Sequence, residues 1–291
     1  MRRAVAAAVV VGAIAAALLL ARSRRGADEG ARCGPGFRAD EARCYAYEPC
    51  PAPLVATPRG CDAPDVRVAI PGGAIAVGPS DWEAEGRVAA RAIRVQPFRI
   101  DAFEVTRGGL GGGLGGGLGG GTGGGTGGGT GGSGSGDVGR AANDVTQTEA
   151  MAFCASRGGR LPTEDEWIVA AASAMNPPRR YPWGDTGAVC RRAAWGLASG
   201  PCDHEADGPD TVGAHPDGDS ALAVHDLAGN VAEWVSDPTV GGVGGTGAAV
   251  AVAKGGSWAT SLAADLRIWA RLELPPGARD PRVGFRCVYP P

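Results

Sequence analysis

Two strings near the C-terminus decide the fold of this chain: VHDLAGNVAEWVSD at residues 224–237 and KGGSWATSLAADLRIWAR at residues 254–271. The first contains the pattern Asp-x-x-Gly-Asn-x-x-Glu-Trp, which runs from Asp226 to Trp234. Such a run brings carboxylates, an amide and main-chain carbonyls together, and hard cations prefer oxygen-rich turns in which glycine permits a sharp bend. A third string, RVGFRC at residues 282–287, follows shortly before the end of the chain. These three strings therefore contain most of the residues that indicate the function of the protein.

The composition of the 291-residue chain limits the classes of protein to which it can belong. Its length allows one large domain or two small ones. The formal net charge of -3 gives no basic footprint for nucleic acid, so no nucleic-acid partner is predicted. Eight cysteines, an even number, together with an apolar N-terminal segment predict disulfides and an oxidising compartment.

The apolar segment runs from Ala4 to Ala21 without a charge. As a helix it would be about 27 Å long, just enough for a bilayer core of about 30 Å. The arginines that follow it, Arg22, Arg24 and Arg25, differ from a small-residue cleavage site and favour an uncleaved anchor within residues 1–25. The protein is then membrane-anchored with its domain outside the cytoplasm. The alternative is a cleaved signal peptide and a secreted or periplasmic protein.

Residues 26–66 form a small cysteine-rich segment with few large apolar side chains. A segment of this composition cannot build a sufficient core, so two disulfides are its predicted staples. Their pairing stays open, because four cysteines allow three connectivities. The spacing lacks a close pair of cysteines and argues against zinc. The four cysteines are Cys33, Cys44, Cys50 and Cys61.

The folded domain is predicted over residues 67–289. It starts with VRVAIPGGAIAVGPSD (66–81), which predicts a strand, a Pro-Gly-Gly turn and a second strand, as in a hairpin. AIRVQPFRIDAFEVT (92–106) predicts another extended stretch. The tract 108–136 is nearly all glycine and cannot form a packed core, so it is predicted as a flexible repeat expansion in a surface loop, with a tether or adhesive surface as the alternative.

Two helix starts follow the glycine-rich tract. VTQTEA, residues 145–150, predicts a capped helix start, and MAFCASRGG (151–159) predicts that the helix stops at glycine. Thr163, followed three residues later by Glu166, predicts a capping box at the start of a second helix. Further along, Cys190 and Cys202 lie in one loop and are predicted to pair locally.

Several longer strings resemble the formylglycine-generating enzyme, or sulfatase-modifying factor, family. Besides the three strings near the C-terminus, they are IPGG-x-x-x-x-G (70–78), F-x-I-D-x-F-E-V-T (98–106), C-x-x-x-G-G-R-L-P-T-E-x-E-W (154–167) and YPWGD (181–185). The resemblance covers about residues 67–289 apart from the glycine-rich tract. It implies an α+β fold of the C-type-lectin-like type, with little regular secondary structure. It also implies a structural disulfide between Cys154 and Cys287.

The resemblance implies a structural calcium ion at the Asp-x-x-Gly-Asn-x-x-Glu-Trp run. The predicted ligands are the side chains of Asp226 and Glu233 and the carbonyls of Ala228, Gly229 and Val231. The alternative is a plain turn with Asn and Gly at positive φ. A second calcium site of the family would need Asn where this chain has Ala194, so no second ion is predicted.

The same resemblance locates an active site whose redox residues are missing. Formylglycine-generating enzymes oxidise a substrate cysteine with O2 and use copper(I) held by two cysteines. The corresponding positions here are Thr260 and Asp265, whereas Ser257 of the oxygen-binding neighbourhood is retained. Copper(I) is soft and prefers thiolate, so a hydroxyl and a carboxylate argue against copper. No catalytic residue is therefore predicted.

A second branch of this superfamily uses iron held by three histidines. The three histidines of this chain are His204, His215 and His225, which fall in one loop region and form no H-x3-H-x-E arrangement. They are predicted to be ordinary loop residues. A Ser-His-Asp hydrolase has no supporting elbow motif.

The sequence thus predicts a non-catalytic binding or accessory module outside the cytoplasm, with a peptide or saccharide ligand. Its cleft is predicted to be lined by Ser257, Trp258, Arg267, Trp269 and Arg271. The first alternative is an oxidase that converts a substrate cysteine to formylglycine. The second is a structural surface protein in which the glycine-rich tract matters most.

Overall fold

The computed structural model describes residues 37–40, 43–46, 50–57, 60–79, 88–113, 138–173, 179–237, 239–240 and 249–291. The chain divides into two compact units, Met1–Cys50 with Ala56–Pro58 and Pro51–Val55 with Arg59–Pro291. In the first unit, strands β1 (Phe37–Asp40) and β2 (Arg43–Ala46) pair antiparallel. The apolar segment predicted as a membrane anchor lies outside the described residues. Within the described ranges, no helix has both the length and the apolar character needed to cross a membrane.

Strands β3 to β8 occupy the region before the glycine-rich tract. They are β3 (Val55–Thr57), β4 (Gly60–Asp62), β5 (Arg67–Ile70), β6 (Gly73–Val77), β7 (Arg91–Val95) and β8 (Phe98–Asp101). The prediction of strands β5 and β6 is confirmed, but the prediction that they form a hairpin is wrong. β5 pairs antiparallel with β8, and β6 pairs antiparallel with β7.

Two prolines explain this pairing. Pro71 separates β5 from β6, and Pro97 separates β7 from β8. Proline lacks the N–H needed for a ladder hydrogen bond. The segment β5–β6 runs antiparallel to the segment β7–β8, and a proline interrupts each segment at the same point. At this point the backbones approach so closely that a Cβ on Gly72 would lie 2.6 Å from Pro97 Cδ. The Pro-Gly-Gly sequence therefore interrupts one extended segment between β5 and β6 and does not reverse the chain direction.

Three helices are described: α1 (Arg107–Gly113), α2 (Gln147–Ser156) and α3 (Glu164–Ala171). The predicted capping box of Thr163 and Glu166 at α3 is confirmed, and the predicted capped start of α2 is also a capping box, formed by Thr146 and Glu149. Each box satisfies backbone N–H groups that the first helical turn leaves without partners.

Helix α1 corrects one boundary of the predicted flexible tract, because it extends into it as far as Gly113. Local anchors make this possible. Thr106 Oγ1 accepts a hydrogen bond from Gly109 N at 2.9 Å, and Gly108 N donates to Val138 O at 2.9 Å. Leu110 also packs against the buried core. The rest of the tract, residues 114–137, lies outside the described part of the chain.

The C-terminal part contributes six strands: β9 (Ala232–Trp234), β10 (Thr239–Val240), β11 (Ala249–Lys254), β12 (Arg271–Leu274), β13 (Val283–Gly284) and β14 (Val288–Tyr289). β11 pairs antiparallel with β9, β10 and β12, and β13 pairs parallel with β9. β14 returns to the first part of the domain and pairs with β8. A short 3-10 turn, Ala263–Leu266, lies in the loop between β11 and β12.

Helices α2 and α3 pack their apolar sides into two buried clusters. One cluster is built around Trp167 and Ile100, and the other around Phe153, Trp234 and Phe285. The predicted disulfide Cys154–Cys287 is confirmed and wholly buried, and it ties α2 to the residue before β14.

The second predicted disulfide, Cys190–Cys202, is also confirmed and staples a loop. Cys50 and Cys61 are both disulfide-bonded as well. The short strands, few helices and disulfides form the α+β architecture that the sequence predicts.

Candidate functional site

The Asp-x-x-Gly-Asn-x-x-Glu-Trp run forms a tight buried turn immediately before β9. Asp226, Gly229 and Asn230 all have positive φ, at 56°, 89° and 56°. Gly229 is required because a Cβ there would lie 2.5 Å from Ala194 O. The next residue, Asn230, donates its N–H to the same carbonyl at 2.8 Å. The turn is therefore packed backbone against backbone.

Glu233, which follows this turn in β9, is held by Arg286. The guanidinium Nε donates to Glu233 Oε2 at 2.8 Å and Nη2 donates to Oε1 at 2.7 Å. Trp167 Nε1 donates to Oε2 at 2.8 Å, so both carboxylate oxygens are engaged. The other Arg286 bonds, of 2.7–3.2 Å, go to the main-chain carbonyls of Asp101, Ala102 and His225. Every N–H of this buried cation thus has an acceptor.

Glu104 is a buried member of the site that the sequence interpretation did not identify as a site residue. Its Oε2 accepts a hydrogen bond from Asn230 Nδ2 at 2.5 Å and its Oε1 accepts one from Val231 N at 3.1 Å. Burial, together with the negative charges of Asp226 and Glu233, holds the pKa of Glu104 well above its usual range. Glu104 lies in the F-x-I-D-x-F-E-V-T string, which indicated the fold. The string alone does not predict the contact with Asn230 and Val231, because these two residues are 126 and 127 positions away.

The predicted calcium ligands lie close together in sequence, but the two carboxylates among them have different partners. Glu233 is already compensated by Arg286. Asp226 Oδ2 accepts a hydrogen bond from Gly213 N at 2.6 Å, and burial raises the pKa of Asp226. A cation at the turn would therefore act on the carboxylate of Asp226, because Glu233 already has a counter-ion.

The acidic side chains are not sufficient by themselves to hold such an ion. Across the described ranges, no group of three or more His, Cys, Asp or Glu side chains could hold a metal. A calcium ion would therefore depend on the carbonyls of Ala228, Gly229 and Val231 in addition to Asp226. The calcium site stays a prediction.

A pocket of about 310 Å³ lies beside the turn, at the C-terminal end of β11 and the start of β12. Its polar lining includes Ser257, Thr260, Asp265, Arg271 and Arg282. The structure thus brings Ser257, Thr260 and Asp265 together in one pocket, although they lie in a loop with little regular structure.

The loop that carries these residues is locked by Thr260. Its Oγ1 accepts a hydrogen bond from Ser257 N at 2.9 Å, and its N–H donates to Ser257 O at 2.9 Å. Gly255 and Gly256 precede this turn with φ of 94° and 70°. The Thr260 hydroxyl therefore has a structural role in this loop.

Two of the five predicted cleft residues, Ser257 and Arg271, line this pocket, whereas the other three do not. Trp258 packs with Ala194 and Leu197 and donates Nε1–H to Pro281 O at 3.2 Å. Arg267 is buried, and its Cζ lies 5.9 Å from the ring centroid of Trp269. These three side chains lie elsewhere because the loop packs them into neighbouring structure. Arg282, from the RVGFRC string, is the lining residue that the sequence interpretation missed.

A buried lysine lies next to the pocket. Lys254, the last residue of β11, is 1% exposed, and its Nζ lies 3.2 Å from Glu164 Oε1. The same carboxylate oxygen lies 3.4 Å from Arg271 Nε. Burial lowers the pKa of Lys254 to about 8. The Glu164 carboxylate thus forms ion pairs with both the buried Lys254 amine and the Arg271 guanidinium in the pocket lining.

The three histidines have separate partners. His204 Nδ1 lies 3.1 Å from Cys202 O, and His215 pairs with Asp210. His225 Nδ1 lies 2.8 Å from Asp219 Oδ1, and its ring stacks on Phe103 at 4.3 Å. The prediction that they act as loop residues agrees with these contacts. In addition, no free cysteine occurs in the part of the chain that the structure describes.

Three curated relatives are similar to this chain in sequence. Hercynine oxygenase of Mycolicibacterium thermoresistibile is 43% identical over 96 residues, or 32% of this chain and 20% of that protein. Inactive C-alpha-formylglycine-generating enzyme 2 of Mus musculus is 32% identical over 151 residues, or 50% of this chain and 47% of that protein. The chain thus spans about a fifth and about half the length of these two relatives. Formylglycine-generating enzyme of Streptomyces coelicolor is 28% identical over 84% of this chain and 93% of that protein.

Solved structures with low sequence identity share the fold. Treponema denticola variable protein 1 superposes with a TM-score of 0.59 at 19% identity, covering 77% of this chain and 95% of that one. PvdO from Pseudomonas aeruginosa gives a TM-score of 0.56 at 19% identity, with 77% and 94% covered. The model of the sulfatase-modifying factor enzyme 1-like domain matches residues 123–290, more than half of the chain. The chain therefore belongs to the sulfatase-modifying factor enzyme 1-like domain family and has its C-type-lectin-like α+β fold.

Proposed function

We propose that this chain is a non-catalytic binding or accessory domain of its family, and that the pocket beside β11 and β12 is its binding site. One observation carries the proposal. The pocket keeps a well-formed polar lining at the family's active-site positions, but a hydroxyl and a carboxylate, Thr260 and Asp265, stand where thiols would be needed.

The chemistry of these two side chains supports a role without copper. Copper(I) is a soft ion that selects thiolate and thioether ligands. Thr260 Oγ1 is engaged with Ser257 N, so its geometry serves the loop. The six cysteines whose side chains the structure describes, Cys50, Cys61, Cys154, Cys190, Cys202 and Cys287, are all in disulfides, and none of them supplies a thiolate. The mouse relative, which is named as inactive, supports the same reading.

The pocket fits a small polar group. Its volume of about 310 Å³ is at the lower end of ligand pockets, which span about 300–1,000 Å³. Hydroxyls, guanidinium groups and a carboxylate line it, and these groups recognise peptides and saccharides through hydrogen bonds. A peptide or saccharide ligand is therefore proposed.

The second candidate function is an oxidase that converts a substrate cysteine to formylglycine. The observation that favours it is the similarity to the Streptomyces coelicolor enzyme, which extends over 84% of this chain. This similarity covers the scaffold, whereas the redox chemistry depends on the residues at positions 260 and 265.

A location outside the cytoplasm belongs to the same proposal. Stable disulfides persist in oxidising compartments and are rare in the cytosol. Cys154–Cys287 and Cys190–Cys202 are such structural disulfides, and the apolar segment at residues 4–21 would attach the protein to the membrane. A structural calcium ion at the Asp226 turn completes the proposal.

Copper uptake and oxygen consumption test the proposed function. The full chain, purified in detergent, is loaded with copper(I) against a competing chelator and analysed by elemental mass spectrometry. Oxygen uptake is then measured with a cysteine-containing peptide. We expect neither stoichiometric copper nor oxygen uptake for the wild type.

The double variant T260C/D265C restores two thiols at the pocket and is the matched comparison. We expect it to retain about one copper per chain, because a thiolate pair suits the soft ion. Stoichiometric copper in the wild type, together with peptide-dependent oxygen uptake, would refute the binding-module proposal in favour of the oxidase.

A further inference from the structure

We propose that the pocket selects an acidic peptide and receives one carboxylate of that peptide between Arg271 and Arg282. This inference rests on the proposed function, because it assumes that the pocket is the binding site. It adds the charge of the ligand and the two residues that determine it.

The charges that face the pocket favour an anion. Arg271 and Arg282 both line it, and their side chains are 35% and 44% exposed. Asp265 is the one carboxylate in the lining. The lining itself therefore holds two guanidinium groups and one carboxylate, and the acids that pair with the guanidinium groups, Asp280, Glu164 and Glu273, are not part of the lining. Guanidinium groups present parallel N–H donors that match a carboxylate in a bidentate geometry.

The acidic partners of the two arginines hold them in place without lining the pocket. Arg282 forms a bidentate pair with Asp280, with Nε–Oδ1 at 2.9 Å and Nη2–Oδ2 at 2.6 Å. Arg271 lies between Glu164 and Glu273, at 3.4 and 3.9 Å. A side chain that is already held loses less rotamer entropy when a ligand binds. The two guanidinium groups are therefore preorganised.

The remaining lining favours a peptide over a saccharide. It consists of small aliphatic and glycine residues, among them Ala232, Ala259, Ala270 and Leu272, and no aromatic ring lines the pocket. An aromatic face of the kind on which a sugar ring could stack is therefore missing from it, and the nearby Trp258 packs against Ala194 and Leu197 instead.

Strand β12 begins at the pocket and is where an extended peptide would bind. Arg271 and Leu272 begin β12, and in the described part of the protein β11 is the only strand paired with β12. The peptide would lie along the other edge of β12 and extend the sheet by main-chain hydrogen bonds, as in β-strand addition. Asp265 would repel a second carboxylate in the pocket, so a single acidic residue is favoured over an acidic run.

Fluorescence anisotropy with labelled peptides tests this inference on the purified full chain. The main probe is a fluorescein-labelled peptide of alanine and valine with one central glutamate and an amidated C-terminus. A glutamine counterpart removes the charge. A third peptide combines the glutamine with a free C-terminal carboxylate and distinguishes a side-chain carboxylate from a terminal one.

We expect the glutamate peptide to bind at least about tenfold more tightly than the amidated glutamine peptide, because charge-assisted hydrogen bonds are the stronger class. R271Q and R282Q are each expected to remove most of this preference. R191Q is the control, because Arg191 is 66% exposed and pairs with Asp217 away from the pocket. Thermal melting of each variant confirms that it is folded.

A pocket-filling variant, A259W, separates failure of this inference from failure of the proposed function. If A259W abolishes the binding of all three peptides while R271Q and R282Q leave their relative affinities unchanged, the pocket is the binding site but the charge selection is refuted. If no peptide binds, this inference is refuted while the proposed function, which also allows a saccharide, stands. If peptides bind and A259W has no effect, the pocket is not the binding site and both are refuted.

Discussion

Arg286 and Glu233 form a bidentate ion pair in the centre of the domain, with N–O distances of 2.8 and 2.7 Å. The exposure of the two residues is 0% and 1%. The pair joins β9 to the segment before β14, and Arg286 also binds carbonyls at the end of β8. It therefore connects three parts of the chain that are far apart in sequence.

Breaking this pair is predicted to be severely destabilising. R286M leaves the Glu233 carboxylate buried without its counter-ion, which costs about 3–5 kcal/mol of unfolding free energy in comparable cases. Urea denaturation followed by tryptophan fluorescence measures the loss. R191M, at the exposed pair with Asp217, is the control and is expected to cost less than about 1 kcal/mol. A loss below about 1 kcal/mol for R286M would contradict the prediction.

The two disulfides are predicted to differ in accessibility to reductant and in their contribution to stability. Cys154–Cys287 is buried and joins residues 133 apart, so its removal is expected to cost about 4–5 kcal/mol in the chain-entropy model. Cys190–Cys202 joins residues only 12 apart, which corresponds to about 3 kcal/mol.

Mild reduction distinguishes these two disulfides. Cys190 is exposed, so low dithiothreitol followed by alkylation and peptide mass spectrometry is expected to label the pair at 190 and 202 first. The control is the same treatment in urea, in which both pairs become accessible. Labelling of Cys154 before Cys190 in the native protein would contradict the predicted order.

Lys254 is predicted to make stability rise with pH in the alkaline range. Its pKa is lowered to about 8, so the folded state binds fewer protons than the unfolded state between about pH 8 and the ordinary value of 10.5. Unfolding free energy then increases as pH rises through this window, by up to about 3 kcal/mol at about 1.36 kcal/mol per pKa unit.

The comparison of wild type and K254M in urea at several pH values isolates this contribution. Glu164, Arg271 and Arg91 are the charges that act on Lys254, and all three are kept in this variant. K254M is expected to lack the rise above pH 8, whereas the other titrating groups affect both proteins equally. An identical pH profile in the two proteins would show that Lys254 has an ordinary pKa.

Calcium removal is predicted to lower the melting temperature. A ligand that binds only the folded state stabilises it in proportion to its excess over the dissociation constant. We expect about one calcium per chain by elemental mass spectrometry and a lower melting temperature in EGTA. D226N should reduce both effects, whereas D217N, at an exposed site, should not. Equal melting temperatures with calcium and with EGTA would remove calcium from the proposal.

The sequence predicted the local elements well. Thr163 with Glu166 forms the capping box that their spacing predicts, and the predicted capped start at residues 145–150 is a second box, formed by Thr146 with Glu149. A helix cap depends on residues within one turn of each other, so sequence spacing alone identifies it. The hairpin predicted at Pro71 failed because strand pairing depends on what lies opposite, and Pro97 lies opposite.

The candidate site was predicted in part, for the same reason. Ser257, Thr260 and Asp265 were recognised because they follow one short string, and they line one pocket. Trp258, Arg267 and Trp269 share that string but are directed elsewhere by the packing of the loop. Arg282 and Glu104 were missed because their roles arise from contacts across many residues.

The sequence by itself determined the family scaffold, the helix caps, the Cys154–Cys287 pairing implied by the resemblance and the absence of a thiol at positions 260 and 265. These properties depend on residue identity and short spacing, which the chain carries in any conformation. The tertiary structure alone decided that Arg286 neutralises Glu233, that Glu104 binds Asn230 and that Arg271 and Arg282 line one pocket. Such long-range pairings are selected by burial of the whole core, because a buried charge or polar group must find a partner within it.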